Sequence, residues 1–181
     1  MRLIPLCVGV LLSTAAVQAA PSDVFLLKIP GITGESTRVN YAGWIAVNSF
    51  SMGVSSTANI GSSGSGAGAG KTVCHALTVV KPLDTTSPEL ALDAASDKHL
   101  STVVLAALNG SGDSHEFLRF TLKNAFITAV QFGGDSVSSS RTETLTIEAE
   151  QIQVTALPQQ IDGTGGQPVT TTINCQSNVV S

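Results

Sequence analysis

Along most of this chain apolar side chains recur at every second position, the signature of half-buried β-strands rather than of helices. Val24 to Ile29 is a short apolar run that predicts a first strand. From Trp44 to Val54 one parity carries Trp44, Ala46, Phe50, Met52 and Val54 against Ser49, Ser51 and Gly53, with Ile45 and Val47 blurring the start. Thr72 to Lys81 predicts another strand, with Val73, Leu77 and Val79 on one face. The β-branched run Thr102 to Leu108 ends at the turn "NGSGDS". The longest alternation runs from Leu118 to Phe132, with Leu118, Phe120, Leu122, Phe126, Val130 and Phe132 at even positions and Arg119, Thr121 and Lys123 between the first of them. Residues 144–154 start with Leu145, Ile147 and Ala149 on one parity, then switch to Ile152 and Val154, which predicts a bulge or bend near Gln151.

One segment has a different period. "TSPELALDAASDKH" places Ser87 at an N-cap, Pro88 at the first helical position and Glu89 in the first turn, where the helix dipole favours an anion. The prediction is one short helix ending near Lys98-His99. The fold class is therefore mainly β: a small antiparallel β-barrel with one short flanking α-helix, a barrel being preferred because closure removes exposed strand edges.

The N-terminus changes the accounting. Residues 1–19 carry a single cation, Arg2, a largely apolar run from Leu3 to Leu12, and then small residues ending in Val17-Gln18-Ala19. This pattern predicts a secretory signal peptide cleaved before Ala20, and a single domain over 20–181 with a C-terminal segment at 158–181. The apolar run is shorter than the ~20 residues a bilayer span needs, so no stable membrane insertion is expected. Cys7 comes after Leu6, where a lipobox requires a small residue. With Arg2 removed, the 9 Lys and Arg fall to 8 against 13 Asp and Glu, a net −5. That balance speaks against nucleic acid as a partner, since phosphate binding needs a basic patch. Location is expected to be periplasmic or secreted, and Cys74 and Cys175 are then either disulfide-bonded or two thiols.

Candidate chemistry is sparse. "GSGAGAGKT", Gly64 to Thr72, resembles a phosphate-binding loop, but Ser65 stands where the pattern needs glycine. The next residues, "VCHALTVV", alternate as a strand instead of opening the helix whose N-terminus would hold phosphate. The stretch reads as a loop between strands. His75, His99 and His115 lie far apart without a second ligand at helical or hairpin spacing, and no Gly-x-Ser-x-Gly elbow occurs. Glu148 and Glu150 share an outward strand face, most simply a solvated or packing surface. No enzyme, cofactor or metal site is predicted.

Read in order from Asp23, the chain resembles Hcp, the tube protein of bacterial type VI secretion. The pieces are "DVFLLKIPGITGES" (23–36), "GWIAVNSFSMGVS" (43–55) and the glycine-rich loop closing on Gly70-Lys71. They continue with "LTVVKPLDTTSPEL" (77–90), "DKHLSTVVLAAL" (97–108), "EFLRFTLKNAFITAVQFGG" (116–134) and "RTETLTIEAEQIQV" (141–154). The tail "PQQIDGTGGQPVTTTIN" (158–174) is similar too, with Ile173 near the family's usual tryptophan. The resemblance implies a non-enzymatic structural protein forming homohexameric rings. Such rings stack into a tube that carries small effector proteins, with a spike protein and a sheath as further partners. It also implies subunit-contact loops at Gly31, Gly34, Glu35 and Ser36, and at Gly66, Gly68, Gly70 and Lys71. Two features depart from the family pattern: the cleavable leader, and the cysteine pair on a charge-poor chain. They leave open a second reading, an exported monomeric barrel that binds a partner outside any contractile machine.

Overall fold

The computed structural model describes residues 22–56, 72–110, 115–159 and 165–176. The expected leader, residues 1–19, and the expected contact residues Gly66, Gly68, Gly70 and Lys71 lie outside them. Ten strands and one helix run in the order β1 (Val24–Lys28), β2 (Ile45–Val47), β3 (Ser49–Ser51), β4 (Val54–Ser56), β5 (Thr72–Cys74), β6 (Leu77–Pro82), α1 (Ser87–Ala95), β7 (Leu100–Leu108), β8 (Glu116–Asp135), β9 (Ser140–Ala156) and β10 (Val169–Asn174).

Eight strands form one antiparallel sheet in the order β2-β1-β7-β8-β9-β6-β3, with β10 added against β9. Its two ends are consecutive pieces of one chain segment. β2 pairs with β1 through Leu26↔Ala46, and β3 pairs with β6 through Phe50↔Val79. Asn48 lies between them and donates its backbone N–H to the Val80 carbonyl at 2.8 Å. One extended strand thus changes partners halfway along, and through it the sheet curls round on itself as a barrel. β4 and β5 form a separate two-stranded sheet, and β10 lies where β6 has left the side of β9.

The interior is filled by Leu27, Ile45, Leu77, Val79, Leu105 and their neighbours, with Leu90 of α1 covering one flank. Each such side chain contributes about 1.5–3 kcal/mol by leaving water. Phe50 joins Phe25 and Phe120 edge-to-face, at 5.1 and 5.7 Å between ring centroids. A smaller cluster of Leu26, Ala106 and Leu108 sits on the outward face of β1 and β7, covered by Tyr41 and Trp44. This second cover explains why the end of β7 is buried on both faces.

The structure corrects several facing assignments. In the Trp44–Val54 stretch Ile45 and Val47 are buried and Ala46 is exposed, because the side-chain parity switches at Asn48, where the strand changes partner. The Thr72–Lys81 stretch is two strands broken at His75-Ala76, so Val73 is 37% exposed while Leu77 and Val79 are core. On β8 the inward parity passes from Leu122 to Ala125 and Ile127 across Asn124, which has φ 51°, leaving Phe126 outward. β9 switches in the same place, from Ile147 to Ile152. Asn124 Nδ2 donates to Glu150 Oε2 at 2.8 Å, and the flanking register pairs Lys123↔Gln151 and Ala125↔Ala149 stay in step, so the two strands bend together. The helix starts at Ser87 with Thr86 as its N-cap residue, one position earlier than expected. Ser87 is turned inward instead, with its hydroxyl on the Glu143 carboxylate.

Candidate assembly surface

The segment from Gly31 to Trp44 is folded onto its own barrel. Gly31 has φ +84°, a conformation that favours glycine. Gly34 donates its N–H to Gly43 O at 2.9 Å, and a Cβ there would lie 2.4 Å from Trp44 O. Ser36 N–H donates to Trp44 O at 3.0 Å, and Gly43 N–H returns a bond to Ser36 O at 2.8 Å. The Glu35 carboxylate accepts from Thr85 Oγ1 at 2.9 Å and from Thr85 N–H at 3.4 Å, which ties the segment to the approach to α1. Of the four residues expected here, Gly34, Glu35 and Ser36 are thus engaged within the chain. Outward from them stands Val39, 85% exposed.

Tyr41 and Trp44 meet edge-to-face at 5.0 Å. The Tyr41 hydroxyl donates to Glu116 Oε2 at 2.5 Å, while Arg119 clamps the same carboxylate through Nε and a terminal nitrogen at 2.6 Å each. Burial, and then the Glu116 carboxylate, push the Tyr41 hydroxyl up to about 12. The same carboxylate raises Arg119 above its ordinary value. The group is a fastener: its charge is compensated and its hydroxyl stays protonated.

A second polar cluster lies where β6 meets α1. Lys81 Nζ contacts Glu143 Oε1, Asp84 Oδ1 at 2.9 Å and the Pro82 carbonyl at 2.9 Å. Ser87 Oγ donates to Glu143 Oε1 at 2.9 Å and accepts from the Asp84 N–H at 3.1 Å. Thr86 donates to Asp84 through both N–H and Oγ1, at 2.8 and 2.6 Å. Burial alone would raise the Asp84 carboxyl, but the Thr86 and Lys81 hydrogen bonds outweigh it and hold the group below its ordinary value. Lys81 and Glu143 are sealed from solvent, so the cluster locks the helix start to β9 and presents nothing to a substrate. Sequence reasoning did not single out this pair or the Tyr41–Glu116–Arg119 group. For the first a signal existed: Lys81 shares the parity of Leu77 and Val79, and Glu143 that of Leu145 and Ile147.

Cys74 and Cys175 are bonded, with an S–S distance of 2.13 Å and Cα atoms 5.7 Å apart. The bond joins β5 to the turn after β10. A cavity of about 320 Å³ lies beside it, lined by Met52, Val73, His75, Leu122, Ile147 and Ile152. A second, of about 520 Å³, adjoins it across Glu148, Ala149 and Cys175 and reaches His99 and Phe126. Among the described residues no group of three or more His, Cys, Asp or Glu is placed to hold a metal ion.

Towards the end of the β8–β9 hairpin Phe132, a ladder partner of Glu143, is 58% exposed, and Val137 in the turn itself is 93% exposed. The Asp135 carboxylate accepts from Val137 N–H at 2.8 Å and Ser138 Oγ at 2.9 Å, and these bonds, the backbone one first, hold it below its ordinary value. Exposed apolar side chains at the end of a hairpin suit contact with another protein surface.

Known proteins share this architecture. A family model described as "Type VI secretion system effector, Hcp" matches residues 26–155. Protein hcp1 of Pseudomonas aeruginosa is 33% identical over 105 residues, covering 57% of this chain and 65% of that protein, so the chain spans somewhat less than two thirds of this curated relative. A solved structure of a type six secretion system protein superposes with a TM-score of 0.82 at 23% identity, covering 88% of this chain and 100% of the other. Hcp1 from Salmonella typhimurium does so with a TM-score of 0.70 at 22% identity, covering 90% of this chain and 100% of its own. At such identities the superpositions speak for the fold.

Proposed function

This chain belongs to the Hcp family of type VI secretion system effectors, and from that premise we propose that it is a non-enzymatic structural protein that assembles into hexameric rings. The rings stack into a tube whose lumen carries small effector proteins, with a spike protein and a sheath as the further partners of that assembly. The family match over residues 26–155 carries this reading. The exposed Phe132 and Val137 supply an apolar surface for it. The Gly31–Asn40 loop contributes through Gly31, Gly34, Glu35 and Ser36, held in place by their bonds within the chain, with exposed Val39 beside them. The glycine-rich stretch with Gly66, Gly68, Gly70 and Lys71 makes the second contact. Export through the leader at 1–19 belongs to the same proposal, and the Cys74–Cys175 bond supports it, since disulfides persist in oxidising compartments.

The test is the mass of the exported protein by light scattering, with electron microscopy of the same sample. A hexameric ring is expected. A monomer that persists at high concentration overturns the proposal and leaves an exported single-barrel binding module. Deleting residues 62–69 is expected to weaken rings more than it weakens folding; unchanged rings would remove that loop from the contact.

A further inference from the structure

We propose that Cys74–Cys175 is a site of thiol–disulfide exchange that latches the β4–β5 hairpin to the barrel, so that its reduction frees the hairpin and the C-terminal turn while the barrel stays folded. The placement of the bond carries this. β4 and β5 pair with each other through Val54↔Cys74 and Ser56↔Thr72, in a ladder separate from that of the eight-stranded sheet. β4 and β5 run on from β3 and β6, with the backbone bond from His75 N–H to Gly53 O at 2.9 Å between them. A hairpin of three-residue strands is marginal in water on its own, so its pose depends on what ties it down. The cavity of about 320 Å³ lies beside it, lined by Met52, Val73, His75, Leu122, Ile147 and Ile152. Val54 and Val73 remain 45% and 37% exposed. Side chains that line a cavity lack partner atoms on that side, so packing there holds the hairpin weakly. The disulfide spans the edge of that cavity, and its far end is itself fixed by the Cys175 N–H bond to Glu150 O at 2.8 Å.

The chemistry balances with an external dithiol as reductant. One thiolate attacks either sulfur and expels the other cysteine as a thiolate, giving a mixed disulfide. The second thiol of the reductant then displaces the remaining cysteine and closes its own disulfide. Two electrons pass to the protein, and two protons finish on the Sγ atoms of Cys74 and Cys175. Cys175 lines both cavities, which gives a small thiol a route to the bond.

The latch is independent of ring formation, because its readout is local to one chain. Amide hydrogen exchange would be compared in the oxidised full chain, in the same chain reduced with dithiothreitol and alkylated, and in a Cys74→Ser/Cys175→Ser variant. Residues 54–56, 72–75 and 175 are expected to exchange at least roughly tenfold faster without the bond, while residues 118–123 of β8 change less than about twofold. Reoxidation of an unalkylated sample should restore the protection. Equal protection of the hairpin in both redox states would overturn the latch. So would uniform acceleration across β8 and β9, which would make the bond a general staple. If the double variant fails to fold, the reduced wild-type chain still decides between these outcomes.

Discussion

Lys81 and Glu143 are register partners across β6 and β9, both sealed from solvent, with the ammonium against one carboxylate oxygen and Ser87 donating to that same oxygen. Lys81→Met leaves the Glu143 charge inside the barrel without its cation, whereas Glu143→Gln leaves Lys81 its ion pair with Asp84 at 2.9 Å. Lys81→Met is therefore expected to cost about 3–5 kcal/mol and Glu143→Gln less, and Lys81→Met with Glu143→Leu less than the sum of the two. Urea unfolding of the three variants measures this; strictly additive losses would show that the two groups do not act as a pair.

Tyr41 is the one tyrosine of the chain, so its ionisation can be followed alone by tyrosinate absorbance. Its hydroxyl is raised from 10.0 to about 12 by burial first and by Glu116 second. A raised value means that the folded state holds its proton more tightly than the unfolded one. The resulting stability is complete below pH 10 and is lost as pH rises towards about 12. The midpoint is expected near 12 in the folded chain and near 10 in urea, and Glu116→Gln should lower the first. A folded-state midpoint at the ordinary tyrosine value would remove the Tyr41–Glu116 fastener.

Much of the architecture is legible in the amino-acid pattern, and the wrong facing assignments share one cause. Leu118, Phe120 and Leu122 identify the inner face of β8 until Asn124, where a left-handed backbone turns the parity over and places Phe126 outside. Between β2 and β3 the parity also inverts, at Asn48, where the strand changes partner. A period-two reading carries forward whatever face it starts with, so one irregular residue inverts every later position. Near Gln151 the switch to Ile152 was visible because both faces there carry distinct residue types. Contacts between distant positions were hidden for another reason: Tyr41 and Glu116 lie 75 residues apart, and Cys74 and Cys175 lie 101 apart, so only the folded barrel brings them together. The same holds for Ser87, whose place before Pro88 suits a cap, until Glu143 arrives from β9 to take its hydroxyl.

Gly34 tests how firmly the Gly31–Trp44 segment is fixed. A methyl group there would stand 2.4 Å from a backbone oxygen, which cannot step aside as a side chain can. Gly34→Ala is expected to destabilise the fold by about 1–3 kcal/mol and to shift the fluorescence of Trp44, the one tryptophan. Gly31→Ala meets no neighbour within 4 Å and acts through its positive φ alone, so it should leave the Trp44 signal nearer to wild type. Identical spectra for Gly34→Ala and wild type would show that the segment moves freely enough to absorb the clash.

The hairpin tip separates assembly from folding. Phe132 and Val137 are exposed in a single chain, and neither belongs to the core, so replacing both with serine removes little that holds the barrel together. Surface changes of this kind usually alter stability by less than about 0.5 kcal/mol. If these side chains are buried between subunits, the same replacement withdraws apolar contact from every interface of a ring at once. The expected result for Phe132→Ser with Val137→Ser is a chain of near wild-type unfolding midpoint whose light-scattering mass falls from that of a ring to that of one subunit. Asp135→Ala gives an independent check, because it loosens the turn that presents Val137 without changing either apolar residue, and it should weaken rings to a smaller degree. Rings of undiminished mass in both variants would place the subunit contact elsewhere on the barrel.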